Sequence, residues 1–182
     1  MKPLIALLAI SALAGCTTAV SQRYALSDGH PQAIKALGIT GVKFAKFEEP
    51  AGTFRDLCRQ QAFLRLADNV THAQYIQRAF EDELKAAGAM AAGQPPAVVI
   101  GGKVNRVEFG TMTGLTGGFW KIGLTLTSSN GTTLDLDEDY RFEAGFAAVY
   151  ACQNAADAFP RAVQHLVGKA VQSPSFASLA GK

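Results

Sequence analysis

The chain carries no excess of either charge. Its 182 residues hold 17 Lys and Arg against 15 Asp and Glu, for a formal net charge of +2. A nucleic-acid binder shows a clustered basic excess, so that class is excluded. Apart from the first residues there is no long apolar run, and none reaches the roughly 20 residues that a bilayer span requires. Internal repeats and low-complexity tracts are also missing. Catalytic templates fail one by one. The three histidines, His30, His72 and His165, have no carboxylate or thiol at ligand-like spacing, and each reads as a solvated side chain. There is no Gly-x-Ser-x-Gly elbow and no Gly-Lys-Ser/Thr phosphate loop. Asp135, Asp137 and Asp139 suggest calcium at first sight, but the EF-hand glycine would fall at Tyr140 and its last glutamate at Phe146. Alternation along a strand places those three carboxylates on a solvent face instead. The expectation is a protein that is not an enzyme and holds no metal or cofactor.

What the chain does have begins at its start. Lys2 precedes an apolar run from Leu4 to Leu13, and Leu13-Ala14-Gly15-Cys16 follows. One positive charge, a short apolar run and then small residues form a secretory signal. The last four residues match the bacterial lipobox, so residues 1–15 resemble the signal peptide of an envelope lipoprotein. That resemblance implies that Cys16 becomes the first mature residue and carries acyl chains, making lipid the attachment to the membrane. Multiple chains hold a protein stably where one holds it marginally. Thr17 stands where an aspartate would mark retention at the inner membrane. By the same resemblance the protein belongs to the outer membrane and faces the periplasm. Removing residues 1–15 leaves 167 residues (182 − 15), enough for one domain with a real core.

With Cys16 lipidated, Cys58 and Cys152 remain, in a compartment that oxidises thiols. A bridge between them would close a loop of about 95 residues and contribute on the order of 4–5 kcal/mol in the chain-entropy model. The alternative is two buried thiols.

Residues 16–38 are mostly small and polar and predict a tether, with at most one helical turn from Gln32 to Leu37. A single domain then covers 39–182. Ile39 to Phe47 reads as a strand with Val42 and Phe44 on one face. The connection from Thr53 to Val70 is too long to be structureless and reads as partly helical, pinned through Cys58. Thr71 followed by Gln74 is a capping-box pattern, and Ala73, Ile76, Phe80, Leu84 and Ala87 form a helical stripe that ends at Gly88. Strands follow over Ala97 to Phe109, Phe119 to Thr127 and Leu134 to Phe142. The last two are joined through Asn130-Gly131, a strong hairpin signal. In the first of these the apolar parity changes between Val104 and Val107, and Gly101-Gly102 is the expected bulge. A second helix carries Ala155, Phe159, Val163 and Leu166, with Asn154 as its cap and Pro160 as a kink or a start. The tail beyond Pro174 packs at most through Phe176. Between the strands, Gly110 to Gly118 reads as a flexible connection whose apolar Met112 and Leu115 could meet a partner or a lipid.

The order β-α-β-β-β-α predicts an α+β two-layer sandwich. A four-stranded, mostly antiparallel sheet carries two helices on one face. That order, behind a lipobox, resembles the lipopolysaccharide-assembly lipoprotein of the outer membrane and the amino-terminal domain of the Tol-system propeller protein. Tyr75-Ile76, Glu83-Leu84, Ala87-Gly88, Val98 to Ile100 and Ser128-Ser129-Asn130-Gly131 also look like a family of envelope lipoproteins of uncharacterised function. The resemblance covers residues 39–176. Its motifs are caps, a hairpin and apolar stripes, so it carries no functional residue across. It implies a non-enzymatic envelope lipoprotein that binds another envelope component, a protein or a glycolipid. The second expectation is a lipid or glycolipid carrier with a pocket between helices and sheet.

Overall fold

The computed structural model describes residues 17–52 and 54–182. Cys16 and the signal segment 1–15 lie outside the described residues. The central layer is a four-stranded sheet in the order β2-β5-β6-β7. Here β2 is Val42–Phe44, β5 is Val98–Thr113, β6 is Gly117–Ser128 and β7 is Thr133–Glu143. β5, β6 and β7 pair antiparallel as successive hairpins, and β2 joins β5 in parallel with Val42 opposite Val98. A smaller sheet, β1-β4-β3, is built from Thr17–Val20, Ala62–Arg65 and Leu57–Cys58. The helices are α1 His30–Ala36, α2 His72–Ala86, α3 Ala148–Gln172 and α4 Ser175–Leu179. Among the described residues no helix is long and apolar enough to cross a membrane.

The core lies between the four-stranded sheet and helices α2 and α3. Both halves of the capping box on α2 form: Thr71 Oγ1 accepts from Gln74 N at 3.2 Å, and Gln74 Oε1 accepts from Thr71 N at 3.0 Å. The α2 stripe of Ala73, Ile76, Phe80 and Leu84 is fully buried. Each of its large members stabilises the fold by roughly 1.5–3 kcal/mol. From β6, Trp120, Ile122, Leu124 and Leu126 face the helices. Trp120 Nε1 donates to Ala155 O at 2.8 Å, and its ring meets Phe159 with centroids 4.8 Å apart. The parity change in β5 comes from a bulge at Asn105: Val104 pairs with Leu124 and Arg106 with the adjacent Gly123. The extra residue turns Val107 back to the core side. Gly102 serves a different need from the expected bulge, because a Cβ there would lie 2.6 Å from the Phe47 ring.

Four expectations are corrected. First, residues 17–37 are built into the body and do not form a tether. β1 pairs in parallel with β4, with Thr17 opposite Ala62, and Ile34 of α1 is fully buried. Tyr75 Oη donates to Gln22 O at 2.9 Å and Gln164 Nε2 to Ala25 O at 2.7 Å. Second, the connection before α2 is a β-hairpin and a short 3-10 turn at Ala67–Asn69 in place of a longer helix. Its tight turn has Arg59 and Gln60 at φ +47° and +56°, and Gln61 N donates to Cys58 O. Third, α3 starts at Ala148 and continues through Pro160. Asn154 is therefore inside it, its Nδ2 donating to Ala144 O at 3.0 Å. Fourth, the tail folds as α4, with Phe176, Leu179 and Ala180 all buried.

Candidate functional site

Along the flank of α3 runs an open groove of about 830 Å³. α3 supplies Asn154, Asp157, Arg161, Gln164 and His165, β7 supplies Tyr140, Phe142 and Glu143, and the chain from Gln22 to Ala25 closes the far side. Most of its polar groups are positioned by bonds within the protein. Asp157 Oδ1 accepts from Gln153 Nε2 at 3.1 Å, and Glu143 Oε2 accepts from Thr116 Oγ1 at 3.0 Å. Arg23 pairs with Asp68 at 2.7 Å, and that hydrogen bond holds the Asp68 carboxyl below its usual range. The His165 ring stands edge-on to Tyr140. Arg161 differs: it is exposed and makes no hydrogen bond or ion pair among the described residues. A groove of mixed sign with one unengaged guanidinium can hold a polar or extended ligand. It contains no nucleophile hydrogen-bonded to a base, which covalent catalysis requires.

A second cleft, about 550 Å³, opens over the start of α2. His72 forms part of its wall and is buried, contrary to the solvated reading. Burial pushes its pKa down to about 4, so the ring is neutral at pH 7. It lies against Phe54 with centroids 4.1 Å apart, and Nε2 is buried without a hydrogen-bond partner. Glu49 Oε2 accepts from Ala73 N at 2.7 Å, a carboxylate on the helix N-terminus. Thr71 Oγ1 accepts in the capping box, and no hydrogen bond joins it to His72 among the described residues.

Two acids are buried, and both act as fasteners. Glu83 Oε1 accepts from Tyr24 Oη at 2.7 Å and Ser27 N at 2.8 Å, with His30 Nδ1 3.3 Å away. Burial, with the Glu83 bond second, raises the Tyr24 pKa, so the phenol keeps its proton. Thus α2 holds the amino-terminal segment, and His30 is half-buried where solvation was expected. Glu138, on the core face of β7, pairs with Lys169 at 2.9 Å. Asp135, Asp137 and Asp139 do face solvent, and Arg106 and Arg141 pair with Asp137 and Asp139. Among the described residues no cluster of His, Cys, Asp and Glu could hold a metal ion.

At one end of the molecule three loops are fastened together. Cys58 and Cys152 form a disulfide, with Cα atoms 5.8 Å apart. Beside it the Arg59 guanidinium donates to Thr111 Oγ1 at 3.0 Å, Phe146 O at 2.5 Å, Gly145 O at 3.1 Å and Thr111 O. The positive φ of Arg59 costs roughly 1–2 kcal/mol, and these bonds offset it. Thr116 O accepts from both Ala144 N and Gly145 N. Met112 and Leu115 are exposed, as expected, but on a hairpin whose pairing continues, past a register shift between Gly110 and Thr113, to Thr113 and Gly117, where a flexible connection was expected. The structure adds Leu57, Phe146, Val149 and Tyr150, all exposed at this end and all missed from sequence. One signal was available: no charged residue occurs in 109–120 or in 144–156.

This topology defines a class by shape. No family model matches the chain, and no curated protein matches it. Solved structures do. Protein XCC0632 from Xanthomonas campestris, of family model DUF330, aligns with a TM-score of 0.58 at 13% identity, covering 90% of this chain and 96% of its own. The two proteins share a fold. A "putative lipoprotein" from Caulobacter crescentus CB15 aligns with a TM-score of 0.44 at 13% identity, over 84% of this chain and 93% of the other.

Proposed function

We propose that this is a lipid-anchored protein of the bacterial cell envelope that acts by binding another envelope component and not by catalysis. Its acyl chains sit on Cys16, and the outer membrane, facing the periplasm, is its location. The anchor rests on the lipobox at 13–16. The binding role rests on one observation: the open groove along α3, where the exposed Arg161 guanidinium makes no hydrogen bond or ion pair among the described residues. A carrier would need room between helices and sheet. The centre of that interface is filled by Trp120, Ile122, Leu124, Phe159, Val163 and Leu166, each 0–1% exposed.

A photo-crosslinking amino acid at Arg161 or Gln164, in intact cells, should capture the same envelope component reproducibly, and the same probe at Lys103 should not. If the groove positions capture nothing, the binding role fails. The anchor is checked independently. Incorporation of a palmitate analogue should be lost in Cys16→Ser, and an unlabelled wild-type protein would overturn it.

A further inference from the structure

We propose that the apolar end held by Arg59 and the disulfide is a membrane-contact face. Its side chains enter the interfacial layer of the phospholipid leaflet that holds the Cys16 acyl chains. This rests on the lipid-anchor reading given above.

The first argument is position. Thr17 opens β1 opposite Ala62, and its Oγ1 donates to Gln61 O at 3.2 Å. The anchor residue is therefore joined directly to a residue beside the Arg59–Gln61 turn. One Cα step is about 3.8 Å. The headgroup layer on each side of a bilayer is roughly 5–8 Å thick. With β1 starting at Thr17, no spacer lifts the domain away, so this end of the molecule lies at the depth of the headgroups.

The second argument is composition. Met112, Leu115, Phe146 and Tyr150 are 76%, 82%, 81% and 69% exposed, and Leu57 and Val149 are also exposed. Single exposed apolar residues need no explanation, but six on three segments brought together at one end do. Water is a poor environment for this set, whereas the interface suits it. Leucine, methionine and phenylalanine enter the acyl boundary, and tyrosine keeps its hydroxyl at headgroup level.

The third argument is charge. Burial in lipid excludes an unpaired charge, and segments 109–120 and 144–156 have none. The Leu57 segment carries three charges: Asp56 pairs with Arg65 at 2.9 Å, Arg55 is exposed where anionic headgroups can meet a cation, and Arg59 donates to three backbone carbonyls and a hydroxyl, so it is already satisfied by the protein. Its fork also fixes the two apolar loops relative to each other, so the face is preformed and little ordering is needed on contact.

The test uses the acylated mature protein in vesicles of phosphatidylethanolamine and phosphatidylglycerol, with and without brominated acyl chains. Trp120 is 1% exposed inside the core, so it gives an unquenched background. Leu115→Trp and Phe146→Trp place reporters on two separate loops, so misfolding of one variant leaves the other. Thr133→Trp, at the far end of β6 and β7, is the control. Bromolipid should remove much of the added emission at 115 and 146 and none at 133. Equal, unquenched emission at all three positions in vesicle-bound protein overturns the proposal. So does burial of 115 and 146 that depends on protein concentration, since a second copy would then cover the face. Failure of the anchor reading looks different: the mature amino-terminal peptide from cells would have an unacylated mass.

Discussion

Replacing Cys58 and Cys152 together by alanine should destabilise the domain by several kcal/mol without changing its fold. The bonded cysteines are 94 residues apart, and between them lie α2 and β4 to β7. Opening so large a loop returns to the unfolded chain an entropy of about 2.1 + 1.5R ln n cal/mol/K, which for this loop gives about 4–5 kcal/mol at 25 °C. For a chain of this size each kcal/mol moves the midpoint by about 2–4 °C, so the melting temperature should fall by roughly 10–20 °C. Urea titration at fixed temperature gives the free energy, and calorimetry gives the midpoint. Reducing the unsubstituted protein provides a second route to the open loop. It leaves both sulfurs in their buried positions, separating loop entropy from any void left by alanine. A loss below about 1 kcal/mol by both routes would refute the loop argument, because the unfolded chain would then gain little freedom.

Three further outcomes follow from local geometry. Burial lowers the His72 pKa to about 4 from the ordinary histidine value of 6.5. The unfolded chain therefore binds the extra proton first, and stability should be full above about pH 6.5 and fall toward pH 4, by an amount approaching 3 kcal/mol; urea midpoints across that range should flatten in His72→Phe, and an unchanged slope would show that another group titrates. Glu83→Ala removes the acceptor shared by Tyr24 Oη and Ser27 N and should cost about 2–4 kcal/mol. Limited proteolysis after Arg23 should become rapid in that variant, and continued protection would refute the fastening role. Gly102→Ala would place its Cβ 2.6 Å from the Phe47 ring and should cost about 1–3 kcal/mol. Gly101→Ala, whose nearest neighbour is 3.8 Å away, should be much milder by the same denaturation assay.

Periodicity and caps made much of the main layer legible. Thr71 and Gln74 marked the start of α2, its stripe marked the buried face, and Asn130-Gly131 placed the β6–β7 hairpin. The parity change at Val104 and Val107 was visible as a fault, but which residue was extra depended on pairing with β6. His72 was misread because a histidine in a first turn is usually solvated. Here Phe54, Phe159 and Glu49, none adjacent to it in sequence, close over it.

The amino-terminal segment was the hardest to read, and it bears most on function. Thr17–Val20 is too short to show alternation, and its partner Ala62–Arg65 lies 45 residues away, in a connection with no helical or strand period of its own. Two weak segments stabilise each other only when both are present, through backbone bonds that no side-chain pattern encodes. The same non-locality hid the apolar end. Leu57, Met112, Phe146 and Tyr150 belong to three segments that the disulfide and the Arg59 guanidinium bring together, and no window of sequence contains them. Under the proposed lipid anchoring, a tether of about twenty residues would have left that end free to face in any direction. A strand that starts at Thr17 would orient it, because the proposed anchor and the apolar segments then share one end. The pairing of β1 with β4 is therefore a test of orientation as well as of fold. Substituting proline for Thr18 or Ala19 should break that ladder and lengthen the effective tether. If the anchored protein then keeps the same bromolipid quenching at Leu115→Trp, the apolar loops find the bilayer without β1, and the strand has no part in orienting them.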